Sequence, residues 1–357
     1  MSFILNKFFG RLKAMFSDDL GIDLGTMNTL VCLTDKGIVI DEPSVVACNT
    51  ENGRVIAVGS EAKRMLGRAP GNIKTYRPVK SGVIAEAAVT DKMMAYFIKN
   101  ARGYFKIMQP RVLVGVPYGI TPVQADAVRN CAHKAGARDA RLVAEPYAAA
   151  VGAGLPVTEP TGSMIVDIGG GTTEVAMISL GAIENAESLP CGGDNMDEAI
   201  MLFMQKKHNL RIGERAAEDI KKKIGTACRM EQPETMEVRG HDMDTHGNSL
   251  PRQVTINSND VHDALEVPVQ KILECVRRTI DGSQASLAAD LLQNGIMLTG
   301  GGALLRGLDY RIEQETGIPV RVAQDPLKAV VKGTGELLKC ADIIFSSAEE
   351  KIYGCSD

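Results

Sequence analysis

Two stretches of the chain share a pattern that restricts its folding more than any other feature. Gly21 to Leu33 reads GIDLGTMNTLVCL, and Val166 to Ile178 reads VDIGGGTTEVAMI. In each, an apolar run carries an aspartate, then glycine, then threonine, and a second apolar run follows. Each therefore reads as a β-hairpin with a glycine turn. A buried strand that ends on a carboxylate and on residues without side chains is an unusual choice. Meeting it twice implies a duplicated hairpin heading two related halves. The length agrees: at 357 residues the chain exceeds the size at which one hydrophobic core stops growing.

The turns suggest their own chemistry. A turn lacking Cβ atoms lets a ligand approach backbone N–H groups closely, the arrangement that holds phosphate oxygens. Thr26, Thr172 and Thr173 add hydroxyl donors. The aspartates, Asp23 and Asp167, would repel phosphate unless a divalent cation sat between them, as Mg²⁺ does, commonly through water. One such turn alone is equally an ordinary tight hairpin with a solvated aspartate. The pair, with a third glycine turn at LTGGGALL (Leu298 to Leu305) suited to a purine or ribose, favours a nucleotide. A G-x-G-x-x-G after the first strand and a Gly-Lys-Ser/Thr ending are both missing, which disfavours dinucleotide enzymes and P-loop NTPases.

Composition removes other classes. A net charge of −4 offers no general attraction to nucleic acid. With no tryptophan and 4% aromatics, stacking platforms for single strands are scarce. Eight cysteines without a C-x-x-C pair argue against zinc and disulfide frameworks and for a reducing cytosol. No run approaches the roughly 20 apolar residues of a membrane span.

Along the chain, strands alternate with helices, an α/β pattern. Leu20 to Ala47 reads as a meander of strands. Met94, Phe97 and Ile98 recur at helical spacing. Pro117 stops a buried strand, and a helix is expected from about Pro122 to Ala135. Another starts at Glu145-Pro146 and runs into small residues. Further helices are expected at NMDEAIMLFMQKKHN and IGERAAEDIKKKIGTA, and strand–glycine–helix order recurs from Ile296. HDMDTHGN (His241 to Asn248) reads as a polar loop rather than a metal site.

IDLGTMNTL, VDIGGGTTEVA and LTGGGALL resemble the two phosphate motifs and the adenosine motif of the actin, sugar-kinase and heat-shock-chaperone ATPase superfamily. Within it, EPSVVA, AKRMLGRAPGNI, GVIAE, AEPYAAAVGAGLPV, GGDNMDEAI, ALLRGLD and ETGIPV resemble the MreB family of bacterial actin-like proteins of rod cell shape. The resemblance runs from about Asp19 to about Ala341. It implies an actin-like, ribonuclease-H-like duplicated α/β fold: two domains around a nucleotide cleft, each with a large and a small subdomain. The implied boundaries are 18–160 (small subdomain about 41–82), 161–324 (small subdomain about 199–252) and a segment, 325–357, returning to the first domain.

The resemblance also implies ATP and Mg²⁺ as cofactors and a slow ATPase. Gly25, Thr26, Met27 and Asn28 match the first phosphate loop, and Gly169, Gly170, Gly171 and Thr172 the second. Glu218, Asp219, Ile220 and Lys221 match the segment beside the nucleoside, and Gly301, Gly302, Ala303 and Leu304 the adenosine loop. Asp23 and Asp167 match the aspartates near Mg²⁺. Asp167 and Glu145 match the catalytic acids, Glu145 beside the attacking water, a role a carboxylate can fill by taking the water's proton. A helix-starting glutamate stabilised by the helix dipole is the alternative for Glu145. Two departures stand out. Met27 replaces a usual alanine, where the backbone is what should matter but the added bulk could change the loop's approach to phosphate, and Ala144 replaces a common second glutamate.

The N-terminus, residues 1–17, carries a different message. At about 100° per residue, Ile4, Leu5, Phe8, Phe9, Leu12, Met15 and Phe16 fall within an arc of roughly 140°. Lys7, Arg11 and Lys13 take the other side and only Phe3 strays. Lys7 and Arg11 break the continuous apolar region of a signal peptide. This is the pattern of an amphipathic helix lying on an anionic membrane; a helix packed on the core is the alternative. By resemblance, the loop at Ile107 and Met108 dips into lipid beside it. The partners expected are further copies of the chain in a filament, the inner face of the cytoplasmic membrane, and membrane proteins of cell-wall elongation, with no nucleic acid. A small-molecule kinase of the same superfamily is the competing function. A chaperone ATPase would need a peptide-binding domain, for which no residues remain beyond about 345.

Overall fold

The computed structural model describes residues 19–102, 108–243, 250–345 and 352–353. The expected N-terminal helix and Ile107 lie outside these residues, as do positions 244–248 of the polar loop. Two large mixed sheets organise the chain. The first has six strands in the order β19-β10-β9-β1-β2-β3. These are β1 Leu20–Leu24, β2 Asn28–Leu33, β3 Gly37–Pro43, β9 Arg111–Val116, β10 Asp139–Ala144 and β19 Ile352–Tyr353. The second has five strands, β13-β12-β11-β17-β18. Its members are β11 Ser163–Ile168, β12 Thr173–Ser179, β13 Ala182–Leu189, β17 Ile296–Thr299 and β18 Val320–Val322.

The expected duplication is visible in the pairing. β1 lies antiparallel to β2 and parallel to β9, with Asp23 opposite Leu30 on one side and Gly115 on the other. β11 lies antiparallel to β12 and parallel to β17, with Asp167 between Glu174 and Thr299. Both hairpins therefore occupy the same place in their sheets, and both aspartates point to the same edge. Every residue of β11 and β12 is buried, as expected for strands covered on both faces.

Smaller pieces stand on these sheets. On the first side are β4 Val46–Asn49, β5 Val55–Val58, α1 Ser60–Met65, β6 Ile73–Tyr76 and the hairpin of β7 Val79–Lys80 with β8 Val83–Ile84. On the second are α5 Gly193–His208, β14 Leu210–Arg211, α6 Glu214–Ile224, β15 Thr235–Asp242 and β16 Pro251–Asn257. β15 continues through His241, which pairs with Pro251. Those first two residues of the expected polar loop are therefore strand, not loop. The remaining α-helices among the described residues are α2 Ala87–Ala101, α3 Pro122–Lys134, α4 Glu145–Gly152, α7 Ser258–Asp281, α8 Ala285–Asn294, α9 Leu308–Thr316, α10 Ala329–Leu338 and the short α11 Ala341–Ile344.

α4 and α10 fill the space between the two sheets. One core cluster joins Leu113 and Val143 of the first sheet to Ile165, Ala176 and Ile178 of the second through Ala148, Ala149, Ala329 and Val330. Alanine and glycine let the two helices meet backbone to backbone. A Cβ on Gly152 would lie 1.9 Å from the Ala329 carbonyl oxygen, and one on Gly333 1.8 Å from that of Ala148. α7, with Pro268 in its interior and an Asn257–Asp260 capping box, packs across the second sheet.

Candidate functional site

The two glycine turns face each other. In the first, Ser44 covers the rear: its N–H donates to the Met27 carbonyl (2.9 Å) and its hydroxyl to that of Gly25 (2.6 Å). In the second, the start of α5 does the same work. Gly193 N–H donates to the Gly169 carbonyl (3.0 Å) and Asp194 N–H to that of Gly170 (2.7 Å). Carbonyls engaged from behind leave donors on the other side, the disposition a phosphate requires. Gly192 is needed at this junction, since a Cβ there would lie 2.7 Å from the Gly169 carbonyl oxygen. The turns also touch. A Cβ on Gly170 would meet Met27 Cγ at 2.3 Å, and one on Gly171 would meet Thr26 Oγ1 at 2.9 Å. The Met27 side chain thus lies against the second turn, where its added bulk is expected to bear on the loop's approach to phosphate. Thr26 Oγ1 also accepts from Gly82 N–H at 3.2 Å, tying the first turn to the β7–β8 hairpin.

Beneath the turns, carboxylates gather. Glu145, the first residue of α4, is 8% exposed, Asp167 7% and Glu174 1%. Glu145 lies over Gly115, where a Cβ would sit in ordinary contact, 3.5 Å from Glu145 Cγ. Burial, aided by repulsion from Asp167 and Asp41, pushes the Asp23 carboxyl up to about 7. Burial pushes Asp167 up to about 6. Glu145 is raised well above the carboxylate range by burial and then by the charges of Asp23, Glu174 and Asp167. Glu174 goes up to about 7 through burial, opposed by hydrogen bonds from Ser188 (2.6 Å) and the Tyr118 N–H (3.1 Å).

Asp167 Oδ1 is buried without a hydrogen-bond partner among the described residues. An acid cluster holding an unpartnered oxygen fits a divalent cation. Among the described residues no group of three His, Cys, Asp or Glu side chains converges on one metal position. Such a cation would therefore complete its shell with water and phosphate oxygens, as Mg²⁺ prefers.

The expected nucleoside elements flank this floor. On α6, Lys221 Nζ donates to the Gly193 carbonyl (2.8 Å) and pairs with Asp197 (2.9 Å). Glu218 pairs with Lys63 of α1 at 3.8 Å. Asp219 is exposed, and Ile220 is wholly buried in the second core, its side chain turned away from this surface. Gly301 to Leu304 form a 3₁₀ turn after β17, with Ala303 buried and Leu304 59% exposed. Gly300 opens it at φ +77°; a Cβ there would meet the Ile168 carbonyl oxygen at 2.3 Å and Asp167 Oδ1 at 2.8 Å. That close approach brings the third glycine turn against the second. Sequence reasoning missed Arg77, which lies in no quoted motif, and gave no role to Ser44 of EPSVVA or Glu174 of VDIGGGTTEVA.

Duplicated sheets, opposed glycine turns and a carboxylate floor define an actin-like fold with a nucleotide-type cleft. Solved structures agree. MreB5 of Spiroplasma citri, bound to AMPPNP, superposes with a TM-score of 0.87 at 31% identity, over 92% of this chain and 98% of that one. A MamK double helical filament has the same fold at a TM-score of 0.76, with 22% identity over 90% and 99%. The family model for MreB/Mbl protein matches residues 17–345, and the chain belongs to that family. Its relatives include the cell shape-determining protein MreB of Escherichia coli, 48% identical over 93% of this chain and 96% of that protein. The cell shape-determining protein Mbl of Bacillus subtilis is 44% identical over 92% and 98%.

Proposed function

We propose that the chain is an ATP-binding cytoskeletal protein. In this reading it forms filaments, hydrolyses ATP slowly and helps determine rod cell shape by organising cell-wall synthesis. The observation that carries the reading is the pair of rear-supported glycine turns facing each other over Asp23, Glu145 and Asp167. MreB5 of Spiroplasma citri, bound to AMPPNP in one structure and ADP in another, supports a nucleotide here.

The turns Gly25–Asn28 and Gly169–Thr172 hold the phosphates. Glu218 and Lys221 flank the nucleoside, and Gly301–Leu304 its base. Asp23 and Asp167 would hold Mg²⁺, which would supply charge neutralisation at the phosphates. Glu145 orients the attacking water, and its carboxylate oxygen accepts the proton. Among the described residues no helix is long and apolar enough to cross a membrane. In this proposal, residues 2–16 attach the filament peripherally to the inner face of the cytoplasmic membrane, beside membrane proteins of cell-wall elongation. Copies stacked head to tail make contacts that do not close, and so give open filaments.

The test is ATP turnover and binding by wild type and Glu145→Ala. The expected result is Mg²⁺-dependent binding in both and hydrolysis slowed about a hundredfold or more in the variant. Parent-rate hydrolysis by Glu145→Ala would refute the role. Monomers at every ATP and lipid concentration, in sedimentation and microscopy, would favour the small-molecule kinase instead.

A further inference from the structure

Arg77 stands between β6 and β7 and reaches across the cleft. Its Nη1 donates to Met27 Sδ (3.0 Å) in the first phosphate loop, and its Nη2 to Glu214 Oε2 (3.1 Å) at the start of α6. Met27 in turn lies against Gly170 of the second phosphate loop. A continuous chain of contacts, Gly170–Met27–Arg77–Glu214, thus links both phosphate loops to the helix that carries Glu218 and Lys221. One turn further along α6, Glu218 meets Lys63 of α1 in a second crossing. Both cations come from the pieces standing on the first sheet. Both acids come from those standing on the second, where Asp194 of α5 also lies in the field of Arg77.

We propose that Arg77 is a positioning residue for the nucleotide. With Lys63 it forms a clasp across the mouth of the cleft that holds α6 against the phosphate loops and slows nucleotide exchange. The inference rests on the reading of this cleft as an ATP site. Opening the cleft separates Arg77 from Glu214 and Lys63 from Glu218, so whatever the pairs contribute is lost when the nucleotide leaves. The pairs are partly exposed, with side-chain exposures of 21% and 68% for Arg77 and Glu214 and 37% and 17% for Lys63 and Glu218. Pairs of that kind shift an equilibrium by roughly a few-fold each. Reversing one charge replaces attraction by repulsion, so a reversal is expected to speed release by about three- to tenfold.

The experiment is stopped-flow release of a fluorescent ATP analogue from wild type, Arg77→Glu, Glu214→Arg and the double swap, all with Mg²⁺. Each single reversal is expected to release faster, and the swap, which restores the pair in opposite sense, to return to within about twofold of wild type. A merely structural role would not be rescued by the swap. Release from Arg77→Glu at the wild-type rate, or single effects that multiply in the double variant, would overturn the clasp while leaving the ATP reading intact. Failure of wild type to bind the analogue would overturn the ATP reading and the clasp with it.

Discussion

The contact between α4 and α10 invites a direct perturbation, Gly333→Ala. The added Cβ would lie 1.8 Å from the Ala148 carbonyl oxygen and 2.6 Å from its carbon, both backbone atoms that cannot rotate away. Restoring an ordinary separation of about 3.2 Å means moving the helices apart by about 1.4 Å. A gap of that size forfeits much of the contact energy of the alanines and valines between the two sheets. Overpacking of this sort costs about 1–3 kcal/mol and more when backbone must move, so about 4 kcal/mol is reasonable. Alanine returns about 1 kcal/mol through helix propensity, leaving about 3 kcal/mol. For a chain of this length the unfolding entropy is roughly 0.7 kcal/mol/K, so the melting point should fall by about 4 °C. Gly335→Ala, on the same helix, is the internal control. Its Cβ would approach only Cys32 Sγ, at 3.2 Å, and the variant should stay within about 1 kcal/mol of wild type. Calorimetry of both variants decides the matter. A Gly333→Ala melting point equal to that of wild type would refute the argument that these glycines set the distance between the sheets.

Other expectations follow from the cleft and the N-terminus. Gly170→Ala should weaken ATP binding because its Cβ meets Met27 Cγ at 2.3 Å. Adding Met27→Ala should restore much of that loss, and titration showing no rescue would contradict the contact. Glu174 has a folded pKa raised to about 7 from 4.5, so its contribution to stability is full below about pH 4.5 and lost as pH rises through 7. The loss is about 3 kcal/mol. Urea midpoints without nucleotide at pH 5 and pH 8 should therefore fall less in Glu174→Gln than in wild type, and equal falls would remove Glu174 as the cause. Deleting residues 2–16, or changing Phe8 and Phe9 to Glu, should abolish co-sedimentation with anionic liposomes while ATP affinity holds. Equal pelleting would return the segment to the core-packing alternative.

The parts of this molecule legible in sequence were those that carry a local signal. The duplicated hairpins, the strand stopped by Pro117 and the helix starting at Glu145 each combine periodicity with a glycine, proline or carboxylate. α7 was not foreseen, since Pro268 interrupts its interior and only packing on the second sheet holds the 24-residue helix together. At the site, glycine marks a turn but not what stands behind it. Ser44 and the N-terminus of α5 support the two turns from elements with no shared motif. Arg77 and Glu214 are 137 positions apart, and no local pattern joins them. The bulk of Met27 stood out in sequence, but not what it meets, because its neighbour Gly170 lies in the other half of the chain.

The way the first sheet is completed has a consequence for how the protein is made. β11 to β18, and the helices among them, come from one uninterrupted stretch, Ser163 to Val322. The first sheet, begun at Leu20, is completed only by residues about 300 positions later: α10 packs Val331 against Leu30 and Cys32, and β19 pairs with β10. On the ribosome the half synthesised first therefore leaves an apolar face uncovered until residues 329–353 have been made. The half synthesised second has all the strands of its sheet once Val322 is made, and only its face toward α4 and α10 remains to be covered. Such a delay exposes, in the first half, apolar surface of the kind prone to wrong association.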